Sequence, residues 1–364
     1  MDFFAWGGYG GYGYSARTLA KELVRQGVEV TVITPRHPGQ MPVERLDGVR
    51  VLAFDDSVWG RLKSIQLYRS LRCDLYVFWG DPVFVHYLLG LLFAPGKRFV
   101  LLQDPWTKMD WVRAFQRGIL RPNLPKRMYV LSLQPLLVRI CLRRADEVAI
   151  MHTSLKDKAR VAYGIKPPER ELRAIAVNLP THDFKKSESP VVCYVARWDR
   201  VKGLDNFVAL ARSFPSVKFI AIGKALERGP SKLFFDRAKE VKNLDLRGFV
   251  SESEKLDLLE KSWVLVSPSY HEGVPFALIE ALSRRCAILS TVNPGGIVER
   301  FGFWARDGDL ESGLRFLLES NKWLNLGKEG QEYVKKEWEM QKVARSHVTE
   351  YSRLLGGQGE HSRN

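Results

Sequence analysis

Short runs of apolar, often β-branched residues recur along the whole chain, and segments with helical periodicity separate them. Strands of parallel sheets have such sequences because helices cover both faces of the sheet. The alternation predicts βαβ units and an α/β fold with parallel sheets. The predicted strands are 29–34, 75–79, 98–103, 147–151 and 174–178, then 191–196, 217–223, 244–250, 263–268 and 286–291.

A polar stretch, KKSESP at 185–190, separates the two sets of predicted strands. The chain has 364 residues, which is more than one hydrophobic core usually organises. We therefore predict two doubly wound, Rossmann-like domains, 1–185 and 186–340, facing each other across a cleft. A closing helix and a frayed tail are expected at 341–364. Because ligands bind beyond the carboxyl ends of parallel strands, the cleft is the expected position of the site.

The chain is strongly basic, with a formal charge of +15 and a pI near 9.6. Such a charge indicates an anionic partner, which could be nucleic acid, phospholipid headgroups or a phosphorylated substrate. Residues 1–184 carry 27 lysines and arginines against 17 aspartates and glutamates, so most of the excess lies in the first half.

Several features predict a cytoplasmic protein. The four cysteines are scattered singly, which favours a reducing compartment. The first residues lack a basic segment followed by an apolar core, so a signal peptide is not expected. The longest apolar run, 83–95, is interrupted by His86 and is shorter than the roughly 20 residues of a spanning helix. We predict a buried helix there.

The stretch HEGVPFALIE places two carboxylates, Glu272 and Glu280, around a strand-to-helix turn. Gly273 permits a tight backbone, and Pro275 suits the first position of a helix running to about residue 285. Free amides at a helix start suit a diphosphate. Glu272 could then reach sugar hydroxyls and Glu280 a ribose diol. The alternative interpretation is an ordinary turn with two solvated acids.

Two cations follow the predicted strand at 191–196. Arg197 comes directly after it, and Lys202 stands five residues later in ARWDRVKG. An arginine fork and a lysine point charge at this strand end could neutralise a leaving diphosphate. Stabilisation of the leaving group is a main requirement of glycosyl transfer.

Several segments together resemble the retaining glycosyltransferases of family 4, which have the GT-B fold and are of the group 1 type. These segments are GGYGYSARTLAKELVRQGVEVTVIT, ARWDRVKGLDNF, FIAIG and LRGFVSESEKLDLLEKSWVLVSPSYHEGVPFALIEALSRRCAILST. The similarity is strongest over 191–291 and rests on the Glu272 and Glu280 pair with Arg197 and Lys202 upstream.

The resemblance implies a role for each matching residue. Arg197 and Lys202 would bind the donor diphosphate, Glu272 the donor sugar and Glu280 the ribose. The remaining implied contacts are Gly273 and Val274 at the phosphates, and Phe249 and Val250 beside the base. The implied reaction transfers a hexose from a UDP-, GDP- or ADP-sugar to a hydroxyl with retention, and requires neither a metal nor another cofactor.

The first half contributes further candidate residues. Gly10 and Gly11 match the family's glycine-rich loop, where the backbone approaches the donor phosphates or the acceptor. The family often has a histidine after the strand matching 98–103, whereas this chain has Gln103 and Asp104. Asp104 is therefore the candidate for acceptor activation.

Residues 105–144 suit an anionic membrane surface. They include nine basic residues against the single acid Asp110, with Trp106, Trp111, Phe115 and Tyr129 interleaved. Cations at headgroups and aromatic rings in the interface predict a peripheral enzyme on the inner face of the cell membrane. Its acceptor would be lipid-linked or a cell-envelope glycan precursor. A solvated basic rim is the alternative.

Two other function classes fit parts of the sequence. A nonenzymatic protein that binds nucleic acid or a sugar nucleotide would also be basic. No helix-turn-helix, zinc-finger or RNA-recognition signature is evident in the sequence, so nucleic acid is disfavoured. A nicotinamide dehydrogenase is disfavoured because no GxGxxG follows a predicted strand with an acid downstream.

Overall fold

A computed structural model describes residues 11–81, 85–225 and 230–356. The chain divides into two compact units. Unit 1 comprises the described residues up to Ala176 together with those from Met340 onward, and unit 2 comprises Val177–Glu339. The division thus falls earlier than the expected boundary at 185, and the closing segment belongs to unit 1. The α/β class with parallel sheets is confirmed.

Unit 1 contains a small mixed sheet. Its strands are β1 (Thr31–Pro35), β2 (Val43–Leu46) and β3 (Val49–Phe54), in the order β1-β3-β2. β1 is parallel to β3, but β2 is antiparallel to it, so the prediction of a purely parallel sheet is wrong here. Asp47 and Gly48, with φ of 53° and 84°, form the hairpin turn that the Asp-Gly pair favours.

A second sheet of unit 1 is parallel throughout. It has the order β4 (Leu75–Trp79), β5 (Lys97–Leu102), β6 (Glu147–Ile150) and β7 (Arg170–Glu171). The strands predicted at 75–79, 98–103 and 147–151 are confirmed as β4, β5 and β6. The predicted strand 174–178 is wrong, because only Val177 pairs, in a single bridge with Glu339. That segment is apolar because it is buried.

The helices of unit 1 include seven before the crossing into unit 2. They are α1 (Gly11–Arg25), α2 (Val58–Ser70), α3 (Val85–Phe93), α4 (Lys108–Gln116), α5 (Leu124–Met128), α6 (Gln134–Leu142) and α7 (Lys156–Tyr163). A π-helical turn, Tyr129–Leu133, joins α5 to α6. The helix predicted around His86 is confirmed as α3, with His86 buried.

Unit 2 has one six-stranded parallel sheet. Its strands are β8 (Val191–Val195), β9 (Lys218–Ile222), β10 (Leu244–Gly248), β11 (Val264–Ser267), β12 (Ala287–Ser290) and β13 (Gly302–Trp304). The order β10-β9-β8-β11-β12-β13 shows that the chain builds outward from β8 in one direction and then in the other. The five predicted strands of this half are confirmed as β8 to β12.

Helices complete both units. Those of unit 2 are α8 (Leu204–Ser213), α9 (Lys232–Lys239), α10 (Glu252–Lys261), α11 (Phe276–Ser283), α12 (Ile297–Phe301), α13 (Leu310–Leu318) and α14 (Lys322–Glu337). The last helix, α15 (Met340–Leu354), packs in unit 1 against Leu19, Leu23 and Ala176. Within the described residues, none of the helices has the length and apolarity needed to cross a membrane.

Candidate functional site

The sheet of unit 2 changes direction between its two central strands. β8 pairs with β9 on one side and with β11 on the other. A crevice forms at such a switch point because the loops after the two strands turn to opposite faces of the sheet. Arg197 and Lys202 follow β8, and Glu272 follows β11. The predicted residues therefore lie at the carboxyl edge where a doubly wound sheet binds ligands.

The loop after β8 is fixed by one tyrosine and one aspartate. The Tyr194 hydroxyl, on a side chain that is 1% exposed, donates to the carbonyls of Arg197 (3.1 Å) and Lys202 (3.3 Å). Asp199 accepts from the Lys202 backbone N–H at 3.1 Å and pairs with Arg197 Nη2 at 3.1 Å. Burial raises the pKa of Tyr194 well above its ordinary value, so this hydroxyl remains a donor.

The loops after β8 and β11 are joined by direct contacts. Lys202 Nζ lies 2.5 Å from Glu272 Oε1, and both side chains are mostly buried. The backbone N–H of Tyr270 donates to the Val201 carbonyl at 2.9 Å. Gly203 has φ +67°, and a Cβ there would lie 2.2 Å from the Pro268 carbonyl oxygen. The close approach of the two loops therefore requires glycine at this position.

The turn before α11 begins a helix whose first amides are not capped by a side chain within the described residues. Gly273 and Val274 are buried in this turn. Pro275 is the residue just before α11, whereas it was predicted as the first residue of the helix, and α11 ends at Ser283. The helix dipole and the absence of a side-chain cap among the described residues favour an anion there.

Glu280 lies on α11 and is 4% exposed. Its Oε1 accepts from Lys255 Nζ of α10 at 2.7 Å, and the same ammonium lies 2.9 Å from Glu252. Burial raises the pKa of Glu280 to about 7, although the Lys255 ammonium opposes the shift. Among the contacts of the described residues, Glu280 is joined to Lys255 and Glu272 to Lys202, so the two predicted acids belong to different ion pairs.

Phe249 and Val250 follow β10. Phe249 is 52% exposed, whereas Val250 packs partly against Val191, Ile220 and Ile222. The backbone N–H of Gly223, after β9, donates to the Gly248 carbonyl at 2.9 Å. Phe249 thus projects from the same carboxyl edge as the residues after β8 and β11.

In unit 1, Gly10 lies outside the described residues, and Gly11 is the first residue of α1 rather than part of a loop. Asp104 follows β5 and is held by Trp106, whose indole N–H donates to Oδ2 at 3.1 Å, and by Lys158 Nζ, 3.6 Å from Oδ1. Its backbone N–H donates to Asp81 Oδ2 at 2.7 Å. Asp104 is therefore placed at the carboxyl edge of the parallel sheet.

Two family models together account for most of the chain. The family described as glycosyl transferases group 1 matches residues 180–335, and the glycosyl transferase 4-like domain matches residues 10–175. The chain belongs to the GT-B glycosyltransferases. No curated protein gives a significant sequence match to this glycosyltransferase.

Solved structures share the fold of this glycosyltransferase. The sucrose-phosphate synthase of Thermosynechococcus elongatus is 18% identical, has a TM-score of 0.77, and is matched over 98% of this chain and 97% of its own. WaaG, a glycosyltransferase involved in lipopolysaccharide biosynthesis, is 14% identical, with a TM-score of 0.66 and coverage of 96% and 97%. HepE of Anabaena, solved in complex with UDP, is 12% identical, with a TM-score of 0.65 and coverage of 90% and 100%.

Sequence reasoning missed several residues that hold the glycosyltransferase's candidate site. Asp199 was visible within ARWDRVKG, where an acid between two cations is a usable signal. Asp81 accepts from the Tyr163 hydroxyl at 3.1 Å as well as from Asp104, and burial raises its pKa to about 6. Lys255 gives no local signal, because its partner Glu280 is 25 residues away.

Proposed function

We propose that the protein is a retaining glycosyltransferase of family 4, which moves a hexose from a nucleotide-sugar donor to an acceptor hydroxyl. One observation carries the proposal. The Lys202 and Glu272 ion pair, with Arg197 beside it, stands at the switch point of the unit 2 sheet. Cations and a carboxylate at one strand edge are the groups needed for a diphosphate and for sugar hydroxyls.

In the proposed reaction, Arg197 and Lys202 neutralise the donor diphosphate together with the first amides of α11, after Gly273 and Val274. Glu272 accepts from hydroxyls of the donor sugar. The bond between the anomeric carbon and the phosphate oxygen breaks, and the acceptor oxygen bonds to the anomeric carbon from the same face. The acceptor proton passes to the leaving phosphate oxygen, so charge and atoms balance. Positive charge at the leaving group is what accelerates the step.

The nucleoside would lie along the neighbouring strand ends. Glu280 is proposed to accept from the ribose diol, and Phe249 with Val250 to contact the base. Lys255 supports this role because its ammonium, 2.7 Å from Glu280 Oε1, favours the carboxylate form. HepE was solved with UDP, which makes UDP-sugars the first donors to test.

No metal is required in this proposal because the lysine and arginine supply the positive charge. Asp104, after β5, is proposed to bind the acceptor hydroxyl, and the segment of Gly10 and Gly11 to approach the donor or acceptor. WaaG is involved in lipopolysaccharide biosynthesis, which supports an envelope glycan precursor as the acceptor class.

The proposed location is the cytoplasmic face of an anionic membrane, contacted through 105–144. Exposed apolar side chains of this segment include Met109, Leu124 and Met128, at 56%, 69% and 63% exposure. Basic residues are interleaved with them, as a peripheral lipid contact requires. Sedimentation with vesicles that shows no preference for anionic over neutral lipid would contradict this part of the proposal.

The donor site is tested by calorimetric titration of the purified protein with UDP-, GDP- and ADP-sugars. We expect saturable binding of one nucleotide class, weakened in Arg197→Ala and Glu280→Ala. Lys218→Ala is the control, because Lys218 is exposed at the opposite, amino edge of β9. Binding of none of the nucleotides would contradict the proposal. Binding without turnover on any acceptor would instead favour a nonenzymatic sugar-nucleotide-binding protein.

A further inference from the structure

Three helices of unit 1 form one layer over the four-stranded sheet. The Tyr68 hydroxyl of α2 donates to the His86 carbonyl of α3 at 3.4 Å, and Cys141 Sγ of α6 lies 3.9 Å from the Leu88 carbonyl of α3. Tyr68, Leu88 and Cys141 also share one buried cluster. The three helices are therefore fixed side by side, in the order α2, α3, α6.

The starts of these helices lie at the carboxyl edge of the sheet, because helices that precede or connect parallel strands run opposite to them. The rings of Phe54, at the end of β3, and His86, at the start of α3, are 5.5 Å apart. α2 begins four residues after Phe54, so its first turn also lies at this edge. Asp81 and Asp104 follow β4 and β5 at the same edge.

Each helix start exposes large apolar side chains. Trp59 and Leu62 on α2 are 75% and 44% exposed, and Val85 on α3 is 45% exposed. Leu133 and Leu136, beside the start of α6, are 49% and 54% exposed. At 1.5 Å per residue Leu133 lies about 12 Å before Cys141, whereas Val85 is only about 4.5 Å before Leu88, so the α6 segment projects past the start of α3.

The charges on this layer have one sign. α2, α3, α5 and α6 contain no aspartate or glutamate within their described bounds. Lys63 is exposed near the start of α2, whereas Arg69 and Arg139 are exposed in the last turns of α2 and α6. Two acids precede α2: Asp56 is paired with Arg61 at 2.9 Å, and Asp55 accepts from the backbone N–H of Ser57 at 2.9 Å. Exposed apolar groups beside cations match the headgroup boundary of an anionic bilayer, whereas a nucleic-acid surface would leave the leucines and valine without apolar partners.

We infer that the helix-start rim formed by Trp59, Leu62, Val85, Leu133 and Leu136 inserts into an anionic lipid membrane. Trp59 is the interfacial anchor, and Lys63 contacts lipid headgroups. Leu133 and Leu136 belong to the 105–144 segment, and Trp59, Leu62 and Val85 extend that surface onto α2 and α3. The inference deepens the proposed function, on which its consequence rests. The rim adjoins the edge of Asp81 and Asp104, so an acceptor headgroup held in the bilayer would reach Asp104 without leaving the membrane.

The test is flotation of the full chain with vesicles of phosphatidylcholine alone or mixed with phosphatidylglycerol. We expect the Trp59→Ser and Leu62→Ser double variant to weaken binding to the anionic vesicles about tenfold, because two apolar side chains no longer insert. Leu233→Ser on α9, where Leu233 is 59% exposed in unit 2, is the matched control and should bind like the unaltered protein.

Two further readouts keep the inference separate from the proposed reaction. Nucleotide titration of the double variant should match that of the unaltered protein, since the changed residues are in unit 1. Equal vesicle binding by the double variant would overturn the inference. Size-exclusion chromatography without lipid should show no change of oligomeric state; a dimer that the double variant dissociates would assign the rim to a second copy and overturn the membrane assignment. If no nucleotide binds but the double variant still loses vesicle binding, the proposed function is contradicted while the membrane role of the helix-start rim is supported.

Discussion

Lys202 Nζ and Glu272 Oε1 are 2.5 Å apart, so a cation that follows β8 and a carboxylate that follows β11 form one ion pair. A donor diphosphate would compete with Glu272 for this ammonium. We expect Lys202→Ala to weaken nucleotide-diphosphate binding by about tenfold to a hundredfold, in line with loss of a charge-assisted contact. Glu272→Gln should instead leave that affinity equal or higher while sugar transfer falls. Calorimetry with UDP and a transfer assay measure both; parallel losses of affinity in the two variants would contradict this division of roles.

The Lys255 and Glu280 pair predicts a pH-dependent stability defect. In Lys255→Met the buried Glu280 loses the ammonium that favours its charged form, so its pKa rises further. The folded state then binds a proton that the unfolded state has released, and stability falls as pH rises from 5 toward 8. We expect a loss of about 3 kcal/mol at pH 8. Urea unfolding at pH 6 and pH 8 checks this, and adding Glu280→Gln should recover most of the loss at pH 8.

His347 predicts acid sensitivity of unit 1. It is fully buried, its Nε2–H donates to the Arg173 carbonyl at 2.8 Å, and Nδ1 accepts from Tyr351. Burial lowers the pKa of His347 from 6.5 to about 4. Between these values the unfolded chain binds the proton and the folded chain does not, so stability falls as pH drops, by about 3 kcal/mol in total. His347→Gln should remove that part of the slope in urea unfolding between pH 7 and pH 4; an unchanged slope would sink the assignment.

We expect Gly203→Ala to destabilise the protein more than a positive φ alone would, because its Cβ would also clash with a neighbouring loop. Gly203→Ala meets both a positive φ and the Pro268 carbonyl at 2.2 Å. Gly308 has φ +83°, and a Cβ there would meet nothing within 4 Å, so Gly308→Ala carries the conformational cost alone. That cost is about 1 to 2 kcal/mol, and Gly203→Ala should exceed it and also weaken nucleotide binding. Thermal unfolding and titration of both variants compare them directly; equal effects would contradict the steric argument.

Asp81 and Asp104 predict a selective loss of transfer. Asp104→Asn and Asp81→Asn should each lower transfer to the acceptor at least tenfold. Asp104→Asn changes the proposed acceptor contact, and Asp81→Asn changes the carboxylate that accepts the hydrogen bond from the Asp104 backbone N–H. Donor binding, which is proposed for unit 2, should stay unchanged. Lys158 pairs with both Asp104 and Asp110, and the Tyr163 hydroxyl donates to Asp81, so transfer is best compared at several pH values. Loss of donor binding in either variant would contradict the assignment.

The sequence predicted most of what depends on local pattern. The strands β8 to β12 are short, apolar and bounded by turns, and Arg197, Lys202 and Glu272 follow them at positions that the strand ends determine. The β2 and β3 hairpin was missed although VERLDGVRV has the alternation and the Asp-Gly turn of a hairpin. The hairpin was missed because the whole chain was interpreted as βαβ units, which contain no antiparallel pairs.

The rest could not be predicted because it depends on contacts between distant segments. The sequence placed Glu280 in the candidate site, but neither its burial nor its partner Lys255, which lies on a different helix, could be predicted. The apolar segment 174–178 was expected to pair as a strand, since burial and strand pairing leave the same sequence pattern. Its Ala174 carbonyl instead accepts from the Ser15 hydroxyl, 159 residues away.

The placement of α15 sets an order of assembly during synthesis. Unit 2 is continuous from Val177 to Glu339, so all of its residues have been made before α15 emerges from the ribosome. Unit 1 must wait, because Met340, Val343 and Ala344 complete the cluster around Leu19, Leu23 and Ala176. A nascent chain interrupted after residue 339 would carry a finished unit 2 attached to a unit 1 with an open core, which is the form that chaperones and proteases would recognise.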